Sequence, residues 1–137
     1  MIVVDASVLT DFLLGRAQAL DALESELAGH EQEPVHAPEL IEPETLDALR
    51  RLVLGGSLTD QRASEAAGDL EQTRMVRYPH APLRERVWEL RHNLTAYDAT
   101  YLAVAEALDD CVLLTGDGGL ASRARLSLGD ERVRHVP

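Results

Sequence analysis

The sequence predicts an α/β fold: a mostly parallel sheet of four to five strands with helices on both faces, a three-layer arrangement. Three observations lead to it. Short apolar runs alternate with segments whose leucines and alanines recur at helical spacing. The two clearest runs, Ile2–Val4 and Val112–Leu114, are wholly apolar, as strands buried on both faces are. Strands alternating singly with helices build a parallel sheet rather than a meander.

The elements follow in order. Ile2-Val3-Val4 reads as a strand ended by Asp5, which can also cap a helix beginning at Ala6. Leu20, Leu23 and Leu27 give Ala17 to Gly29 a helical stripe, with Gly29 as the stop. Val35-His36-Ala37 reads as a second short strand. Pro38 suits the first turn of a helix running to about Leu54 and ended by Gly55-Gly56. Thr59 caps a helix striped by Ala63, Ala66, Ala67 and Leu70. Met75 to Tyr78 reads as a strand stopped by Pro79. Leu83, Val87, Leu90 and Leu94 mark the next helix, and Thr95 opens another reaching about Leu108. After Val112–Leu114 come a short helix, Leu120 to Arg125, and a last strand, Val133 to Val136.

A chain of 137 residues, 45% hydrophobic, fits one domain with a real core. No apolar run approaches the roughly 18 residues of a membrane span. No basic region precedes the first apolar stretch, so a cytoplasmic protein without a cleaved leader is expected. Cys111 is the only cysteine, which excludes an internal disulfide and a thiolate zinc site and leaves a small buried hydrophobe. A net charge of −11 argues against long tracking of nucleic acid, which requires a basic face. An acidic protein that handles phosphates needs added cations, and a bound metal supplies them. All thirteen basic residues are arginine. The absence of lysine excludes a P-loop and counts against receiver domains and haloacid-type phosphatases. The latter also require a second acid two residues after the nucleophile, where this chain has Ser7.

In an open parallel sheet, ligands bind beyond the carboxyl ends of the strands. Asp5 follows one strand directly, and Asp117 lies just past another. Asp98 sits in the first turn of the helix that leads into Val112, so it begins at the same edge. Glu44, about two turns into the helix expected from Pro38, lies ~9 Å from that start. Each acid alone has an ordinary structural use: Asp5 as a cap, Asp98 in a capping box after Thr95, Asp117-Gly118 as a turn, Glu44 as a solvated charge. Jointly they converge on one edge. Carboxylates ~4 Å apart cost ~4 kcal/mol per pair at an effective dielectric near 20. A hard cation with oxygen ligands, Mg²⁺ or Mn²⁺, removes that conflict. One or two such ions also clamp phosphate oxygens and activate water.

These segments resemble the motifs of PIN-domain nucleases, and in particular of the VapC-type toxins of bacterial toxin–antitoxin pairs. The opening Ile-Val-Val-Asp-Ala-Ser-Val-Leu (2–9) is similar to the family's strand-plus-Asp start. Ala-Pro-Glu-Leu (37–40) with Glu-Thr-Leu-Asp-Ala-Leu-Arg-Arg (44–51) resembles its second motif. Leu-Thr-Ala-Tyr-Asp-Ala-Thr-Tyr-Leu-Ala-Val-Ala-Glu (94–106) and Leu-Leu-Thr-Gly-Asp-Gly-Gly-Leu-Ala (113–121) resemble its third and fourth, the most specific. The resemblance covers the chain in order, as a single PIN domain over 1–137 with a PIN-like α/β/α sandwich. It implies a Mg²⁺- or Mn²⁺-dependent endoribonuclease, a homodimer, and a small VapB-type antitoxin that blocks the site. The acids carried over are Asp5, Glu44, Asp98 and Asp117, with Asp5, Asp98 and Asp117 as metal ligands. Ser7 and Thr115 fall where hydroxyls support the first and last acids.

Other residues remain candidates. Glu42 rivals Glu44, but the two point about 160° apart on a helix, and Glu44 shares a face with Leu40 and Ala48. Pro43, inside a helix begun at Pro38, is expected to kink it, leaving Glu39 or Glu42 as possible helpers. Arg50, Arg51, Arg91 and His92 are candidate RNA contacts. Tyr97 and Tyr101 are expected in packing, with base stacking as the lesser option, and Trp88 in a dimer contact. An acidic pocket should also attract arginines of an antitoxin. The competing reading is a catalytically inactive PIN-like module that binds RNA or protein.

Overall fold

The computed structural model describes all 137 residues. Five strands form one sheet, every pairing parallel: β1 (Ile2–Val4), β2 (Val35–Pro38), β3 (Met75–Tyr78), β4 (Val112–Thr115) and β5 (Val133–His135). Their spatial order is β3-β2-β1-β4-β5, with Val3 opposite both His36 and Leu113. The central strand β1 is buried along its whole length, as its uninterrupted apolar sequence requires.

Seven helices connect the strands: α1 (Ala6–Leu13), α2 (Ala17–Glu26), α3 (Ile41–Leu54), α4 (Asp60–Gln72), α5 (Arg84–Glu89), α6 (Ala96–Ala107) and α7 (Gly118–Leu128). The first four pack on one another and the last three on one another, giving the three-layer α/β/α sandwich. Helix α6 lies against β1, β2 and β4, which accounts for a nearly continuous buried run from Ala99 to Ala105. No helix is long and apolar enough to cross a membrane.

The chain moves outward from β1 to β2 and β3, then returns to lay β4 on the other side of β1. The direction of winding therefore reverses between β1 and β4, where an open parallel sheet leaves a crevice at its carboxyl edge. The turn into β4 is clamped by Arg132. Its guanidinium donates to the carbonyls of Ala105 and Leu108, both at 3.0 Å, and of Cys111 at 2.8 Å. Those carbonyls lie at the end of α6 and in the connection to β4, where an arginine satisfies groups the helix leaves open. Cys111 is fully buried, as a small hydrophobe would be.

Several boundaries differ from the sequence expectations. Pro38 ends β2 rather than opening a helix; being last in the strand, its missing N–H removes no interior ladder bond. Helix α3 starts at Ile41 instead, so Pro43 lies in its first turn, where backbone N–H groups have no intrahelical partner. The expected kink has no cause there. The helix marked by Leu83 to Leu94 is only Arg84–Glu89, and beyond it the backbone closes in tight turns such as Asn93 N to Leu90 O. Helix α2 stops at Glu26, short of Gly29, and α7 is longer than Leu120–Arg125 at both ends.

Candidate active site

Asp5 leaves β1 at the crevice, and its backbone N–H still reaches across to Leu114 O on β4. Its carboxylate caps α1 through Val8 N at 3.0 Å. The same oxygen accepts from the Ser7 hydroxyl at 2.6 Å, and the other accepts from Thr115 Oγ1. With three donors on two oxygens and only 5% of its surface exposed, Asp5 is fixed in place. Thr115 and Ser7 each tie it to the β4–α7 turn. Thr115 Oγ1 accepts from Asp117 N, and Ser7 Oγ accepts from Gly116 N, both at 2.9 Å. The sequence assigned Thr115 to the last acid; its hydroxyl proton goes to the first, and it holds the last only through the backbone.

Gly116 is required by this closeness. A Cβ there would stand 2.8 Å from Ser7 Oγ and 3.1 Å from Val136 O. Asp117 then caps α7, accepting from Leu120 N at 2.7 Å. Asp98, in the first turn of α6, is set by the Thr95 cap, whose hydroxyl accepts from Asp98 N at 3.1 Å. Glu44 now stands three residues into α3, ~4.5 Å along its axis rather than ~9 Å.

All four acids line one cavity of about 420 Å³. Helical spacing explains the rest of its wall. Ser7, Thr10 and Asp11 share a face of α1; Glu44, Ala48, Arg51 and Leu52 share a face of α3; Asp98 and Tyr101 share a face of α6. Glu42, on another side of α3, pairs with Arg77 of β3 at 2.5 Å, and neither it nor Glu39 lines the cavity. Arg51 does, while paired with Asp47 at 3.3 Å. Arg50, Arg91 and His92 do not. Arg50 lies along the α3–α4 groove, and Arg91 sits over the Trp88 ring, 4.6 Å from its centre. Trp88 is exposed.

The sequence reading missed Asp11 and Arg16, an ion pair of 2.5 Å at the rim. The register of α1 carried the signal for Asp11, which lies four residues beyond Ser7. Arg16 follows the turn after α1 and shows no such pattern.

The cavity is hostile to negative charge. Burial lifts the Asp5 carboxyl above its usual range despite the bonds from Ser7, Thr115 and Val8, and the charge of Asp117 adds to the lift. Burial lifts Glu44 as well, helped by Asp98 and Asp5 and opposed by Tyr101 and Arg51. Asp98 is raised by burial, then by Asp117 and Asp5. The buried Tyr101 hydroxyl, raised first by burial and then by Glu44, stays neutral. Glu44 Oε1 and the Tyr101 hydroxyl influence each other, yet both are buried without a well-formed hydrogen bond.

That orphaned oxygen and three lifted carboxyls fit a hard cation, and the donor set is all oxygen. As placed, no three of these side chains stand close enough to hold one ion together. Asp5 is pinned by its three donors, so an ion bound here would require Glu44, Asp98 and Asp117 to move toward it.

The PIN domain family model matches residues 2–126. The chain is 41% identical over 133 residues to Ribonuclease VapC1 of Mycobacterium tuberculosis, covering 96% of this chain and 97% of that protein. It is 40% identical over 117 residues to Ribonuclease VapC9 of the same organism, covering 85% and 86%. Ribonuclease VapC3, also of M. tuberculosis, is 34% identical over 120 residues, covering 88% and 85%. By both measures the chain belongs to the PIN-domain family and groups with its VapC ribonucleases.

Proposed function

We propose that the chain is a Mg²⁺- or Mn²⁺-dependent endoribonuclease, the toxin of a toxin–antitoxin pair. The observation that carries this reading is one cavity lined by Asp5, Glu44, Asp98 and Asp117, drawn from four separate parts of the chain. The ribonuclease names of its relatives support the substrate. Asp5, Asp98 and Asp117 are the proposed metal ligands, with Glu44 completing the ring. The metal, when bound, supplies the charge that admits a phosphodiester and a nucleophile made from water.

The chain's own residues do the rest. Ser7 and Thr115 donate to both oxygens of Asp5, so that carboxylate needs no reorganisation when it binds. Asp117 keeps one oxygen on Leu120 N, leaving the other to face the cavity. Glu44 and Asp98 turn inward from the first turns of their helices. Tyr101 closes the cavity floor with a neutral hydroxyl. In the overall reaction water adds to phosphorus, the bond from phosphorus to one ribose oxygen breaks, and that oxygen takes up a proton.

We extend the proposal to how such an enzyme is held silent. Its ring of acids is complementary to basic side chains, and both rim arginines, Arg16 and Arg51, already face acids of their own chain. A VapB-type antitoxin that inserts arginine is the proposed partner, acting on a homodimer of this chain. The test is purified, antitoxin-free protein incubated with a broad RNA panel, with Mn²⁺ or Mg²⁺ and with chelator. Cleavage that requires the ion is expected. Failure to cut any RNA with either ion would overturn the reading in favour of a binding module, which RNA retention without cleavage would identify.

A further inference from the structure

A second groove, of about 440 Å³, adjoins the acid cavity and shares Glu44 and Arg51 with it. Leu40, Pro43, Asp47 and Tyr97 complete its lining. The shared residues set the two side by side, so this groove is within reach of a nucleotide next to one whose phosphate lies among the acids.

Tyr97 is the unusual member. It directly precedes Asp98 in α6, but one helical residue turns a side chain by ~100°, so it faces the groove rather than the acid cavity. Tyr101, one turn on, is 1% exposed and serves the core; Tyr97 is 61% exposed. An aromatic ring held on the first turn of a capped helix, beside apolar Leu40 and Pro43, is a platform without a partner in this chain. Arg51 lines both the groove and the acid cavity, and its ion pair with Asp47 is well exposed, so its guanidinium is free to exchange that partner for a phosphate.

We infer that this groove seats the nucleotide next to the scissile phosphate, with its base stacked on Tyr97 and its phosphate met by Arg51. The inference rests on the ribonuclease reading for the phosphate placed among the acids, and it goes further by assigning a binding residue outside the acid ring. Stacking needs an open base face, so the nucleotide held here is unpaired.

The test uses a short, fluorescein-labelled single-stranded RNA of mixed sequence and the full chain. Anisotropy with Ca²⁺ gives affinity, and cleavage with Mn²⁺ is followed in parallel. Tyr97→Ala should weaken binding about tenfold, while Tyr97→Phe, which keeps the ring, stays within about twofold of the parent chain. Arg51→Ala should lower the salt dependence of binding by about one phosphate contact. The subsite is overturned if Tyr97→Ala binds as the parent does, if Tyr97→Phe is as weak as Tyr97→Ala, or if the parent binds no RNA. The nuclease reading is scored separately by cleavage. Tyr97-dependent binding upholds the subsite whether or not this RNA is cut, and the nuclease reading falls only if the broad RNA panel also goes uncut; cleavage with binding indifferent to Tyr97 overturns the subsite and leaves the catalysis standing. Because Tyr97 is exposed, unchanged thermal melting of the variants confirms that only the surface has altered.

Discussion

Thr115→Val isolates the support of the pinned acid. Thr115 is fully buried, and its hydroxyl both donates to Asp5 and accepts from Asp117 N. Valine keeps the volume and removes both bonds. A hydrogen bond to a charged group is worth about 1.5–3 kcal/mol net, and Asp5 retains Ser7 and Val8 as donors, so a loss of about 2 kcal/mol is expected. For a chain of this length that lowers the melting temperature by about 7 °C. Urea unfolding at pH 7.5 measures it directly. The pH dependence supplies a second check. The Asp5 carboxyl is already raised by burial, and the lost donor favoured its charged form, so the variant's carboxyl rises further. The deficit is therefore full while Asp5 is ionised and shrinks as pH falls and the carboxyl takes up a proton. Thr115→Ser should recover most of the loss. An unchanged midpoint at pH 7.5, or a deficit that stays constant into acid, would refute the view that this hydroxyl steadies an ionised Asp5.

Three further outcomes follow from the same geometry. Asp5, Glu44 and Asp98 have raised pKa values in the fold, so their protonated forms favour the native state and that contribution is lost as pH rises through those values. Metal-free protein should therefore lose stability as pH rises above the ordinary carboxylate range, and Mn²⁺ should reduce that loss in scanning fluorimetry. Gly116→Ala sets a methyl against Ser7 Oγ and Val136 O, and should cost about 1–3 kcal/mol by urea unfolding and at least tenfold in RNA cleavage rate. Glu44→Gln should cut single-turnover cleavage by about 100-fold, whereas Glu42→Gln, which only breaks the pair with Arg77, should leave it within about twofold.

Asp5, Asp98 and Asp117 were legible because a parallel sheet dictates where strands end and where the following helices begin. Three short motifs carried that information without side-chain geometry. Glu44 was legible as a face of a helix but not as a position, since Pro38 satisfies the end of a strand and the start of a helix equally well. What decided it was the pairing of β2 with β3, a contact between residues some forty apart in the chain that local spacing cannot express. The Leu83–Leu94 stripe misled for a related reason: Leu90 is buried and Leu94 half-buried, but they reach the core from turns beyond the end of α5. The double use of Thr115 was beyond sequence, because nothing in Leu-Thr-Gly-Asp says which carboxylate receives the hydroxyl. Arg50 and Arg91 were candidates for their phosphate-matching guanidinium forks and His92 for its nearness to the third motif, and neither residue type nor nearness in sequence specifies which face of an element a residue occupies.

The central claim, that these carboxylates act together through a divalent ion, is tested most directly by titrating Mn²⁺ into the parent chain and Asp98→Asn while following RNA cleavage. The account predicts saturable Mn²⁺ binding by calorimetry in the parent, cleavage that rises along the same curve, and a variant that has lost both. Cleavage undiminished by chelator, or an Asp98→Asn chain that binds Mn²⁺ and cuts RNA as the parent does, would contradict it.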